Sequence, residues 1–253
     1  MSSVKEQLFD VQEQYADKWI RKRLSDDSLG EDSEEYICLA EEYSNYQYHM
    51  WEEAESKAEL RWLKENDSLD IYNIFIDELD ALKVMAESNF DNPQKIAFIL
   101  HKNIIVKMSY AYAVTLLESF LGDTLKSIIS ENDTYLKNAL CKFKILKNVK
   151  LTDLASTDVN LRLLVLKHVG DVLYHNIPNV LEMYEQILRV KLNIEKSNIV
   201  KITKLRHDIV HRNGQSIDGT DISLKPEDFN DAIEYIKEFS GALQKAINES
   251  KVG

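Results

Sequence analysis

The sequence predicts an all-α protein, a helical bundle with an N-terminal helical extension. Three observations lead there. Glycine and proline are scarce, seven and three in 253 residues, while Leu, Glu, Lys and Ala, all good helix formers, dominate. Apolar residues recur at three- and four-residue steps along much of the chain. Residues that cap helices stand where those periodic runs begin. The length suffices for one large domain or two small ones with a proper core.

In chain order, Ser3-Val4-Lys5-Glu6 fits a capping box. It opens a helix whose Leu8, Val11, Tyr15 and Trp19 form one stripe. The acidic run Ser25–Ser33 ends it and reads as a solvated loop, since it lacks the ordered ligand positions of a calcium loop. Residues 34–65 then form a long helix unbroken by Gly or Pro, with Tyr36, Leu39, Tyr43, Met50, Ala54, Ala58 and Trp62 as its apolar side. Tyr43, Tyr46, Tyr48 and Trp51 are dense enough for base stacking. The flanking Glu41, Glu42, Glu52 and Glu53 oppose a polyanion there, which favours packing. Ser68 is expected to cap the next helix, with Ile71, Ile74, Phe75, Leu79 and Leu82 inward.

Asn92-Pro93, an N-cap followed by proline at the first helical position, is the expected boundary. It divides an acidic helical region, 1–91, from a second helical domain, 92–253. From Pro93 to about Ser130 the chain is heavily apolar, one long helix or two, with Tyr110, Val114, Leu117, Leu121 and Leu125 as a central stripe. Glu118 lies beside that stripe, either as an ordinary surface glutamate or within reach of a cation such as Arg206. Lys137, Lys142, Lys144, Lys147 and Lys150 follow with no acid among them. They form a phosphate path or a solvated connector. Helices are expected near 157–174 and 178–192, a turn at Asp218-Gly219, and a closing helix from Pro226 that buries Phe229, Ile233, Ile236, Leu243 and Ile247.

Charge and composition narrow the function. The net charge is −12, but residues 1–90 carry nine Lys/Arg against 23 Asp/Glu and the remainder is nearly balanced. Such a chain is no general nucleic-acid coat, although a nuclease needs only a local basic path. The acidic N-terminal helices suit a basic regulatory protein partner. Cys38 and Cys141 stand far apart without metal-ligand spacing, in keeping with a reducing cytoplasm. The first ten residues hold no apolar signal core, and His101, Lys102 and Lys107 interrupt the longest apolar region, so no membrane span is expected. His168 and His175 lie seven apart with no carboxylate at ligand spacing. P-loop, dinucleotide, HExxH and GxSxG patterns are missing, and no cofactor is expected.

One stretch concentrates chemistry: Arg206-His207-Asp208-Ile209-Val210-His211-Arg212-Asn213-Gly214. Ile199, Ile202, Leu205 and Ile209 make the preceding run an amphipathic helix, and Asn213-Gly214 is a natural helix stop. Arg206 offers a permanently charged planar fork suited to phosphate. His211 carries an imidazole, which can accept or donate a proton as a general base or acid. The pair meets the needs of metal-free RNA cleavage, an acid or base at the reacting oxygens and a cation on the phosphorane. The same residues also suit a solvated helix end whose cations complement the helix dipole.

The string resembles the R-x4-6-H motif of the HEPN superfamily (higher eukaryotes and prokaryotes nucleotide-binding domains), in which a polar residue, here His207, commonly follows the Arg. The resemblance extends to Leu116-Leu117-Glu118-Ser119-Phe120-Leu121 and to the closing helix, over roughly 93–248. It implies a HEPN-like bundle and a metal-independent endoribonuclease of toxin or antiphage-defence type, with a composite site across a homodimer. By position, Arg206 and His211 are then the catalytic pair, and His207, Asp208 and Asn213 the supporting polar groups. Lys142, Lys144, Lys147 and Arg212 are the expected RNA contacts. Asn213 stands where R-x4-H-x-Y toxins carry the tyrosine that an antitoxin nucleotidylates, a departure from that pattern. The alternative is a catalytically silent helical interaction or regulatory module. On an ideal helix Arg206 and His211 lie about 140° apart, so either the helix loosens before Gly214 or the two meet across chains.

Overall fold

A computed structural model describes residues 4–26, 28–90, 101–143, 161–212 and 214–252. Among these the protein is all-α. Its helices are α1 (Val4–Arg21), α2 (Glu34–Glu65), α3 (Ser68–Phe90), α4 (Lys102–Glu131), α5 (Asp133–Phe143), α6 (Leu161–Gly170), α7 (Ile177–Leu188), α8 (Ser197–His211) and α9 (Pro226–Val252). The expected capping box at Ser3 and the Asn92-Pro93 pair lie outside the described residues, as do Lys144, Lys147, Lys150 and Asn213.

The chain divides into two compact units, Met1–Arg61 and Trp62–Gly253. The break therefore falls about thirty residues before the boundary expected from Asn92-Pro93. The reason is α3, whose Phe75 stacks on Phe120 of α4 at 4.6 Å, making it part of the second core. In the first unit, aromatic rings of α1 and α2 meet. Trp19 lies 5.3 Å from Tyr43 and 6.0 Å from Tyr46, with the Arg23 guanidinium 3.7 Å above its ring. The Tyr36 hydroxyl donates to Asp17 at 3.1 Å. Tyr43 thus packs, whereas Met50 and Trp51 remain exposed.

The second unit is built round α4. Val114, Leu117, Leu121 and Leu125, the expected stripe, are fully buried, with Tyr110 nearly so. By length and composition α4 could cross a membrane, and half of that apolar window is buried inside the protein. Burial pushes the Tyr184 hydroxyl far above its ordinary pKa, and it donates to the Leu121 carbonyl at 2.7 Å. Arg162 donates to the Ile129 carbonyl at 3.0 Å, satisfying the C-terminal end of α4.

At the start of α3, Asp67 rather than Ser68 is the cap. Its carboxylate accepts from the amides of Leu69 and Asp70, and Asp70 reaches back to the Asp67 amide. Ser68 is instead buried, where Lys251 donates to its hydroxyl. Ile74, expected inside, is exposed, because the buried face follows Ile71, Phe75 and Leu79 at four-residue steps. The closing helix α9 buries Phe229, Ile233, Ile236, Leu243 and Ile247 completely. Its polar side pairs with α3 through Lys83–Glu234, Asp80–Lys237 and Glu87–Asn230. Pro178 opens α7, as expected, with the Asn176 side chain as its cap.

Candidate functional site

Ile199, Ile202 and Thr203 bury one side of α8, and the helix continues without loosening through Arg206 and His211. It ends where the Arg212 amide donates to the Asp208 carbonyl and the Gly214 amide to the Ile209 carbonyl. Gly214 has φ +76°, the left-handed conformation expected of a helix stop. An added Cβ there would also stand 2.7 Å from Lys107 Nζ.

The motif separates into three pairs. Arg206 points inward to Glu118 of α4, Nη2 to Oε2 3.8 Å, each side chain about one-fifth exposed. Arg206 Nε and Glu118 Oε1 are buried without hydrogen-bond partners, so the pair is close but incompletely satisfied. His207 and His211 are exposed together, their ring centroids 4.8 Å apart. Asp208 is buried and forms an ion pair with Arg212, Oδ1 to Nε 3.0 Å. Regular helix geometry therefore keeps Arg206 and His211 apart within one chain, as the 100° step requires.

Of the expected RNA contacts, Lys142 and Arg212 are among the described residues. Lys142 is engaged with Glu182 at 2.9 Å across α5 and α7. Its hydrogen bond and charge hold the Glu182 carboxyl below the ordinary carboxylate range. That lysine serves the fold as a cross-helix tie. Arg212 is exposed but shares its charge with Asp208.

Two residues on α4 join the site. Glu118 does so through its pairing with Arg206, one of the two readings its sequence position left open. Lys107 was legible only as an interruption of the apolar stretch. It lies eleven residues, about three turns, before Glu118 and so on the same face. Its Nζ approaches the Gly214 carbonyl at 3.5 Å, beside the helix exit. That carbonyl also accepts the Ile222 amide at 2.8 Å, which closes the 215–221 loop. Within that loop Gly219 has φ +80°, the turn expected at Asp218-Gly219. Ser216 hydrogen-bonds Asp218 and lowers its carboxyl pKa.

Around α8 the surface is asymmetric. Asn198, Ile202 and Leu205 border a cleft shared with Asp228, Ala232 and Tyr235 of α9. His207 lies about 200° round the helix from Leu205, on the flank turned away from α9. On α4, Ile104, Met108 and Tyr112 follow one another at four-residue steps and are 53%, 67% and 53% exposed. No protein-family model matches this chain, and neither does any curated protein or solved structure.

Proposed function

We propose that this protein is a HEPN-type, metal-independent endoribonuclease of toxin or antiphage-defence kind, working in the cytoplasm as a homodimer with a composite Arg/His site. The observation that carries the reading is the split within α8. A half-buried arginine fork points one way and an exposed imidazole the other, on a helix that stays regular between them. A second copy bringing its own α8 alongside supplies the missing partner. The Ile104, Met108 and Tyr112 stripe and exposed Val210 offer apolar surface for such a contact. In this reading Arg206 stabilises charge on the phosphorane and His211 transfers the proton. Arg212 and Lys107 supplement the positive charge near the helix exit.

The Arg206–Glu118 pair favours a second reading. An arginine already engaged within its own chain also suits a silent interaction module. RNA cleavage separates the two. Purified protein in EDTA is expected to cut single-stranded RNA and leave 2′,3′-cyclic phosphate ends. Intact RNA, or cleavage that requires an added divalent ion, contradicts the proposed mechanism.

A further inference from the structure

We infer that His207 and His211 form a two-imidazole chelate for a borderline-soft divalent metal ion of the zinc class. This rests on the geometry of the pair and not on the nuclease reading. Histidines at i and i+4 project from one face of a helix, the spacing by which helical metal sites present two ring nitrogens to one ion. Metal–nitrogen bonds of about 2.05 Å place two bound ring centroids about 4.5 Å apart at a right-angle ligand geometry and about 5.2 Å apart at the tetrahedral angle. The observed separation is 4.8 Å, between those values, with the rings tilted 43°. Both rings are exposed, so an ion reaches them without opening the fold.

The surroundings define the class of ligand. Neutral imidazoles suit Zn²⁺, Ni²⁺ and Cu²⁺, whereas Mg²⁺ and Ca²⁺ require oxygen ligands. Asp208, between the two histidines, faces Arg212 with its side chain 12% exposed. It serves as neither third ligand nor metal-site base. Among the described residues no group of three His, Cys, Asp or Glu comes together. The chain therefore supplies two ligands and water the remainder, which makes this a binding site and not a hydrolytic centre. If His211 also moves protons in RNA cleavage, an ion on its ring nitrogen blocks that step, and zinc acts as an inhibitor.

Calorimetric titration with Zn²⁺ alone tests the site. It uses the full chain carrying Cys38→Ser and Cys141→Ser, because both thiols are exposed and compete for zinc. One saturable ion per chain is expected. His207→Ala and His211→Ala should each weaken binding at least as much as the roughly 10- to 100-fold that loss of a supporting group costs. His49→Ala, at the separate His49–Glu52 pair, should leave that binding in place. Helicity measured on each variant confirms that the fold persists. The inference is overturned if no saturable binding is found in the cysteine-free chain, or if either substitution at 207 or 211 leaves the affinity unchanged.

Discussion

Arg206→Ala and His211→Ala are expected to abolish RNA cleavage, and their effects on stability should differ. Loss of a positioned acid or base typically costs about 10²- to 10⁴-fold in rate, and loss of a charge-stabilising donor about 10²- to 10³-fold. His211 is exposed on the last turn of α8, so its removal should change unfolding free energy by no more than about 0.5 kcal/mol. Arg206 is the cation beside Glu118, whose Oε1 already lacks a partner. Its removal leaves a half-buried carboxylate unpaired, for about 1–2 kcal/mol after allowance for its partial exposure. Arg206→Lys separates the roles: an ammonium can keep much of the attraction to Glu118 but cannot reproduce the bidentate fork. It should therefore recover stability and remain inactive. Rates from initial cleavage, paired with urea unfolding of the same samples, check this. Full activity in His211→Ala would move the assignment to the silent module.

The largest stability effect is expected at the centre of α4. Leu117 is fully buried in the middle of the helix that α3, α8 and α9 all contact. Leu117→Ala removes three carbons from a site whose neighbours are held by several helices and cannot collapse freely. A cost of about 2–5 kcal/mol follows. Against typical domain stabilities of about 5–15 kcal/mol, that is a large share. Urea denaturation should show a lower midpoint with an unchanged slope. A Leu117→Ala protein with wild-type stability would mean that α4 is not the core helix.

Much of this architecture was legible because helix periodicity reports burial directly. The closing helix shows it best: all five residues expected inside are fully buried. The long helix at 34–65 was equally plain, since no Gly or Pro interrupts it. Its buried face was less so, because aromatic rings spaced for packing and rings left exposed have the same spacing. The place of α3 was hidden for another reason. A strong local boundary signal at Asn92-Pro93 says nothing of which later helix Phe75 will meet.

At the site, the divergence of Arg206 and His211 followed from the 100° step alone. The Glu118 contact was one of two open readings, and tertiary packing decided it. Lys142 shows the opposite case. A run of lysines without acids looks free in sequence, yet Glu182, forty residues on, neutralises one of them. Long-range charge pairing leaves no local pattern to read.

The central proposal is that two chains build one site, and the molar mass of the active species tests it most directly. Light scattering on a sizing column at micromolar concentration, with RNA cleavage measured across the same peak, gives both quantities together. Activity is expected in a species of twice the 29.3 kDa chain mass. A fully active species at the mass of a single chain would contradict it.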